Sequence, residues 1–139
     1  MKLLILIRGL PCSGKSTLAN CIANSFIDVD VSHFEADMFF VDPKGNYNFD
    51  TSRLSEAHRY CQKSVENEMK RGAECIIVSN TFTQKKEADY YLYMATKYGY
   101  NTQIITSQAN WVCKNEHDVP KKTCAAMRDR FQDSQGWLD

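Results

Sequence analysis

The stretch Lys2-Leu3-Leu4-Ile5-Leu6-Ile7-Arg8-Gly9-Leu10-Pro11-Cys12-Ser13-Gly14-Lys15-Ser16-Thr17 decides the fold. Its opening apolar run has the composition of a strand buried on both faces. The run breaks at Gly9, and helical periodicity begins at Lys15. Between them, Gly9 to Ser16 spell G-x-x-x-x-G-K-S, the pattern of a phosphate-binding loop. Gly9 and Gly14 allow positive φ, so backbone N–H groups can turn inward and form an anion nest. The helix that follows points its positive end at the same spot. Lys15 brings a point charge to the β- and γ-phosphates, and Ser16 offers a hydroxyl to Mg²⁺. The reading predicts ATP and Mg²⁺ as cofactors. Gly9, Leu10, Pro11, Cys12, Ser13, Gly14, Lys15, Ser16 and Thr17 hold the nucleotide, with Ser16 on the metal.

Working outward, the 139 residues suit one domain over 1–139. Lysine plus arginine and aspartate plus glutamate both number 17, so no global charge recruits nucleic acid or membrane. The N-terminal apolar run is too short for a membrane span or a secretory signal, and a cytoplasmic protein is expected. The 6 cysteines form no C-x-x-C pair, which predicts reduced thiols. Cys113, His117 and Cys124 lack a fourth ligand at zinc spacing.

Helical periodicity is expected from Ser16 to about Phe26, through Leu18, Ala19, Ile22, Ala23 and Phe26. A short second strand is read over Asp28 to Phe34. A long amphipathic helix runs from about Thr51 to Lys70 on Leu54, Ala57, Cys61, Val65 and Met69, closed by Gly72. Cys75 to Ser79 is a buried strand with Asn80 and Thr81 at its carboxyl end. A helix over Gln84–Tyr98 is expected to be capped by Thr83 and stopped by Gly99. Asn101 to Thr106 is a further strand. Pro120 opens a last helix through Phe131, and a frayed tail is expected at 133–139. Alternating strands and helices predict an α/β fold of the P-loop NTPase and kinase type. Its parallel sheet would have about four to five strands, with helices on both faces.

Ligands of such sheets bind beyond the carboxyl ends of the strands, where Gly9–Ser16, Asp37 and Asn80–Thr81 all fall. Asp37 is the candidate general base for a hydroxyl acceptor, or else a helix N-cap. Asn80 and Thr81 are candidates to bind the acceptor or a Mg²⁺-bound water, or else simply close the strand. The polar segment at about 111–122 reads as a lid bringing Lys114, Lys121 and Lys122 over the triphosphate, or as a solvated turn. The tyrosines at 90, 91, 93, 98 and 100 read as packing or as a base-stacking surface.

Several ordered motifs resemble the polynucleotide-kinase-like group of P-loop kinases. That group includes the kinase half of phage polynucleotide kinase and related AAA-type ATP-binding domains. The motifs are Leu6 to Ala19, Ala36-Asp37-Met38-Phe39-Phe40, Tyr47-x-Phe49-Asp50 and Leu54-x-Glu56-Ala57-His58-x-x-Cys61-Gln62. They continue through Ile76 to Thr81, Tyr98-Gly99-Tyr100, Val119-Pro120 and Met127-x-x-Arg130. The resemblance implies ATP-dependent phosphorylation of a hydroxyl, in the best-known members the 5′-hydroxyl of DNA or RNA, with single-stranded DNA or RNA 5′ ends as possible partners. It implies Asp37 as general base, with Asn80 and Thr81 bordering the acceptor. Lys114 stands where the group usually has Arg, and a lysine cannot form arginine's bidentate clamp. Ser79-Asn80-Thr81 stands where the group often has an acidic residue, which leaves the third-strand site uncharged. A stand-alone kinase of this size suits a bacteriophage genome. The alternatives are a small-molecule or nucleoside kinase and a non-catalytic ATP-binding module.

Overall fold

The computed structural model describes residues 1–108 and 121–139. Its elements in chain order are β1 (Leu3–Arg8), α1 (Lys15–Ser25), β2 (Val31–Phe34), α2 (Leu54–Arg71), β3 (Cys75–Asn80), α3 (Lys85–Tyr98), β4 (Asn101–Thr106) and α4 (Lys121–Arg130). Two 3₁₀ turns, Ala36–Phe40 and Thr51–Arg53, lie between β2 and α2. Among the described residues the strands form one four-stranded parallel sheet in the order β2-β3-β1-β4.

That order explains why helices cover both faces. β1 leads through α1 to β2 on one side, whereas β2 and β3 lead through α2 and α3 back the other way. Right-handed crossovers running in opposite directions place their helices on opposite faces. One core accordingly packs Ala19 of α1 on Ile5, Ile7, Cys75 and Ile77. The other packs Ala57, Cys61, Val65 and Met69 of α2, with Ala88, Tyr91, Met94 and Ala95 of α3, on Leu4, Leu6, Ile76 and Val78. The alternate residues of β1 and β3 therefore serve two different cores, as their unbroken apolar runs require. The chain changes direction between β1 and β3, which opens a crevice at their carboxyl ends.

Local chemistry sets the helix ends. Gly72 and Gly99 close α2 and α3 in the left-handed region, at φ 83 and 77. The cap of α3 is Gln84 rather than Thr83. Gln84 and Glu87 form a reciprocal capping box, and the Thr83 hydroxyl donates to the Glu87 carboxylate instead. Pro120, the expected start of the last helix, lies outside the described residues.

The tail is not frayed at Trp137, which is buried. Its anchor is Arg8, the last residue of β1 and only 1% exposed. The guanidinium carbon sits 4.0 Å from the ring centre of Phe131 and 4.3 Å from that of Trp137. Arg8 Nε donates to the Phe82 carbonyl at 2.9 Å and Nη2 to the Gln132 carbonyl at 2.6 Å. Burial lowers its pKa, with Asp133 and Glu87 pulling the other way. A planar cation with in-plane donors and stackable faces can satisfy carbonyls and rings together. Cys12 is disulfide-bonded, against the expectation of reduced thiols. Pairing depends on proximity in space, which the spacing of cysteines does not encode. Cys21, Cys61 and Cys75 are free.

Candidate functional site

The loop from Gly9 to Gly14 joins β1 to α1 at the carboxyl edge of the sheet. Gly9 is required by space. A Cβ there would stand 2.7 Å from the Ser107 carbonyl oxygen and collide with the Ser13 hydroxyl. Gly9 N–H donates to the Thr81 carbonyl at 3.2 Å, tying the loop to the end of β3. Cys12 and Gly14 both take positive φ, 65 and 85, the alternation that turns backbone amides into a concave nest. The Ser13 hydroxyl is buried in this loop without a hydrogen-bond partner among the described residues, a polar atom left over for a ligand. Lys15 Nζ donates to the Leu10 carbonyl at 3.0 Å. Burial lowers the pKa of Lys15, while Glu35 and then Asp37 raise it, so both carboxylates act on this ammonium.

Beyond β2 the backbone enters the 3₁₀ turn Ala36–Phe40 with Glu35 at its N-cap position. Asp37 follows two residues later, at the second position of the turn, and is therefore not that cap. Its Oδ1 accepts the Tyr47 hydroxyl at 3.0 Å. Tyr47 arrives through the short loop at 42–46, where an isolated bridge pairs it with Val41. The Asn80 amide faces inward. Its Oδ1 accepts the Ala36 N–H at 2.8 Å and its Nδ2 donates to the Cys61 Sγ at 3.7 Å. Asn80 thus fastens the turn bearing Asp37 to the end of β3. A cavity of about 220 Å³ opens next to it, lined by His58, Gln62, Asn80, Phe82, Lys86, Glu87 and Tyr91.

Sequence reasoning passed over Glu35. Its Oε1 accepts the Ser16 hydroxyl at 2.6 Å and lies 3.3 Å from His33 Nε2. His33 Nε2 is also hydrogen-bonded to the Ser79 hydroxyl at 2.6 Å. Burial pushes the Glu35 carboxyl up, but hydrogen bonds from His33 and Ser16, with support from Ser79, outweigh it and hold the group below its ordinary range. The available signal was the alternation His33-x-Glu35, which puts two polar side chains on one face at a strand end.

The predicted residues Gly9 to Thr17, Asp37, Asn80 and Thr81 thus meet along one edge. Lys114, Cys113, His117 and most of the expected lid lie outside the described residues. Lys121 and Lys122 open α4. Of the tyrosines, Tyr91 and Tyr100 are core residues, whereas Tyr93 is exposed. Among the described residues no helix is long and apolar enough to cross a membrane.

Comparison with known proteins agrees with this architecture. Residues 4–133 match the family model described as an AAA domain. Human NEDD4-binding protein 2 is 29% identical over 136 residues, which cover 93% of this chain and 8% of that protein. The chain thus spans a small part of that relative. The Pnkp1/Rnl/Hen1 complex structure superposes with a TM-score of 0.63 at 17% identity, covering 78% of this chain and 36% of that one. Kti12 of Chaetomium thermophilum, solved with ADP-AlF3, superposes at 0.65 and 12% identity over 96% of this chain and 84% of its own.

Proposed function

The chain belongs to the AAA domain family, and from that premise we propose an ATP-dependent kinase that passes the γ-phosphate to a hydroxyl group. The favoured acceptor is the 5′-hydroxyl of a polynucleotide. The observation that carries this reading is the meeting of the phosphate loop with the acidic segment after β2. Lys15 is under the influence of both Glu35 and Asp37, and Asp37 is oriented by Tyr47. The polynucleotide-kinase-like motifs and the similarity to the Pnkp1 complex support the choice of acceptor, and the nucleotide held by Kti12 supports ATP.

In this reading the loop amides and Lys15 hold the triphosphate in line, which is most of what phosphoryl transfer asks of a protein. The oxygen donors around Ser16 fit Mg²⁺, a hard cation. Mg²⁺, when bound, neutralises charge on the phosphates. Asp37 accepts the proton of the acceptor hydroxyl as its oxygen bonds to the γ-phosphorus and the bond to the β,γ-bridging oxygen breaks, leaving ADP. Tyr47 keeps the Asp37 carboxylate turned for that transfer. Lys114 would add a cation from the lid.

A second reading keeps the chemistry and changes the acceptor to a nucleoside or other small alcohol. The neutral balance of charges and the small cavity beside Asn80 favour it. An acceptor panel separates the two. Labelled γ-phosphate is offered with Mg²⁺ to 5′-hydroxyl DNA and RNA oligonucleotides and to nucleosides. Transfer to oligonucleotides that weakens steeply with salt supports the first reading. Transfer to nucleosides alone would replace it with the second.

A further inference from the structure

We infer that Glu35 supplies the carboxylate of the Mg²⁺ site beside Ser16, and that His33 and Ser79 are positioning residues that hold it there. The inference rests on the nucleotide-binding reading above. A phosphate-loop site holds its metal through the loop hydroxyl and a carboxylate, commonly one at the end of a neighbouring strand. The end of β3 cannot provide it, because Ser79, Asn80 and Thr81 carry no charge and the Asn80 amide is engaged with Ala36 and Cys61. The carboxylate that reaches Ser16 comes from β2 instead, at 2.6 Å. With its proton directed at Glu35, the Ser16 oxygen keeps its lone pairs for a cation.

Other roles for Glu35 fit less well. It occupies the N-cap position of the 3₁₀ turn, yet its side chain makes no capping hydrogen bond. Its carboxylate is directed instead at the Ser16 hydroxyl, at 2.6 Å, and at His33 Nε2, at 3.3 Å. Ser79, buried, holds His33, and His33 holds Glu35, which is how outer groups fix the orientation of a ligand. Among the described residues no group of three or more His, Cys, Asp or Glu side chains could hold an ion unaided. Phosphate oxygens and water must complete the shell, which is the habit of Mg²⁺. Asp37, bonded to Tyr47, is left for the acceptor proton.

The test measures binding of a non-hydrolysable ATP analogue to the full chain by calorimetry, with Mg²⁺ and with EDTA. No acceptor is present, so the result stands apart from whether any acceptor is phosphorylated. The wild type is expected to bind more tightly with Mg²⁺. Glu35→Gln should lose about 10- to 100-fold of the Mg²⁺-dependent affinity while matching the wild type in EDTA. An undiminished Mg²⁺ enhancement in Glu35→Gln would overturn the inference. So would equal losses with and without metal, which would make Glu35 a support of the loop alone, or a wild type indifferent to Mg²⁺. If Glu35→Gln fails to fold, Glu35→Asp takes its place. It keeps the charge but shortens its reach, and strict octahedral geometry predicts at least a several-fold loss of enhancement. Full enhancement there would also contradict the assignment.

Discussion

Replacing Arg8 with alanine should cost more stability than any change on the exposed faces of the helices. Its bonds to the Phe82 and Gln132 carbonyls, at 2.9 and 2.6 Å, are charge-assisted, and each contributes about 1.5–3 kcal/mol. The contact to the Thr83 carbonyl at 3.5 Å is too long to add much. The Phe131 and Trp137 rings add about 0.5–2 kcal/mol each. Against that gross sum, freeing a buried guanidinium from desolvation returns several kcal/mol. A net loss of about 2–4 kcal/mol remains, a large share of a small domain's stability. Arg8→Lys keeps the charge but loses the fork and the stack, so it should recover little. Urea unfolding followed by tryptophan fluorescence reads this directly. In a Trp111→Phe background Trp137 becomes the sole reporter, and Arg8→Ala should shift its native emission to the red as the ring leaves its cation. A loss under about 1 kcal/mol, with Trp137 emission unchanged, would refute the view that Arg8 anchors the tail.

Three further outcomes are expected. Tyr47→Phe removes one hydrogen bond to Asp37 and should lower kcat about 3- to 10-fold with KM for ATP unchanged, checked by steady-state kinetics. The depressed pKa of Glu35 contributes stability that is present above its unfolded value of 4.5 and lost as pH falls through the lower folded value. Unfolding midpoints should therefore drop below about pH 4.5, and Glu35→Gln should flatten part of that slope. Glu87→Ala breaks the α3 capping box and strips the Gln84 N–H of an acceptor at 2.8 Å. It should cost about 1–2 kcal/mol in urea unfolding, with nucleotide affinity unaffected.

The elements that could be read in the sequence are those with strong local signals. β1 and β3 are unbroken apolar runs because each serves a core on both faces, and α2 carries its stripe from Ala57 to Met69 with a glycine stop at Gly72. The phosphate loop was equally legible, since its glycines answer to steric demands seen at Gly9. What sequence reasoning missed depends on distant segments meeting. Nothing near Arg8 announces that Phe131 and Trp137 will close over it, so the tail was expected to fray. Glu35 drew no functional reading, because only the parallel placement of β2 and β1, on either side of β3, brings it against Ser16. Thr83 was expected to cap α3, and its hydroxyl turned instead to Glu87.

The most direct measurement is transfer of labelled γ-phosphate from ATP and Mg²⁺ to a 5′-hydroxyl oligonucleotide by the wild type and by Asp37→Asn, with ATP binding followed in both. Transfer by the wild type is expected, with a loss of at least about 100-fold in Asp37→Asn and ATP still bound. Transfer undiminished in Asp37→Asn would contradict the assignment of the base. No transfer to oligonucleotides or nucleosides by an ATP-bound wild type would contradict the kinase reading itself.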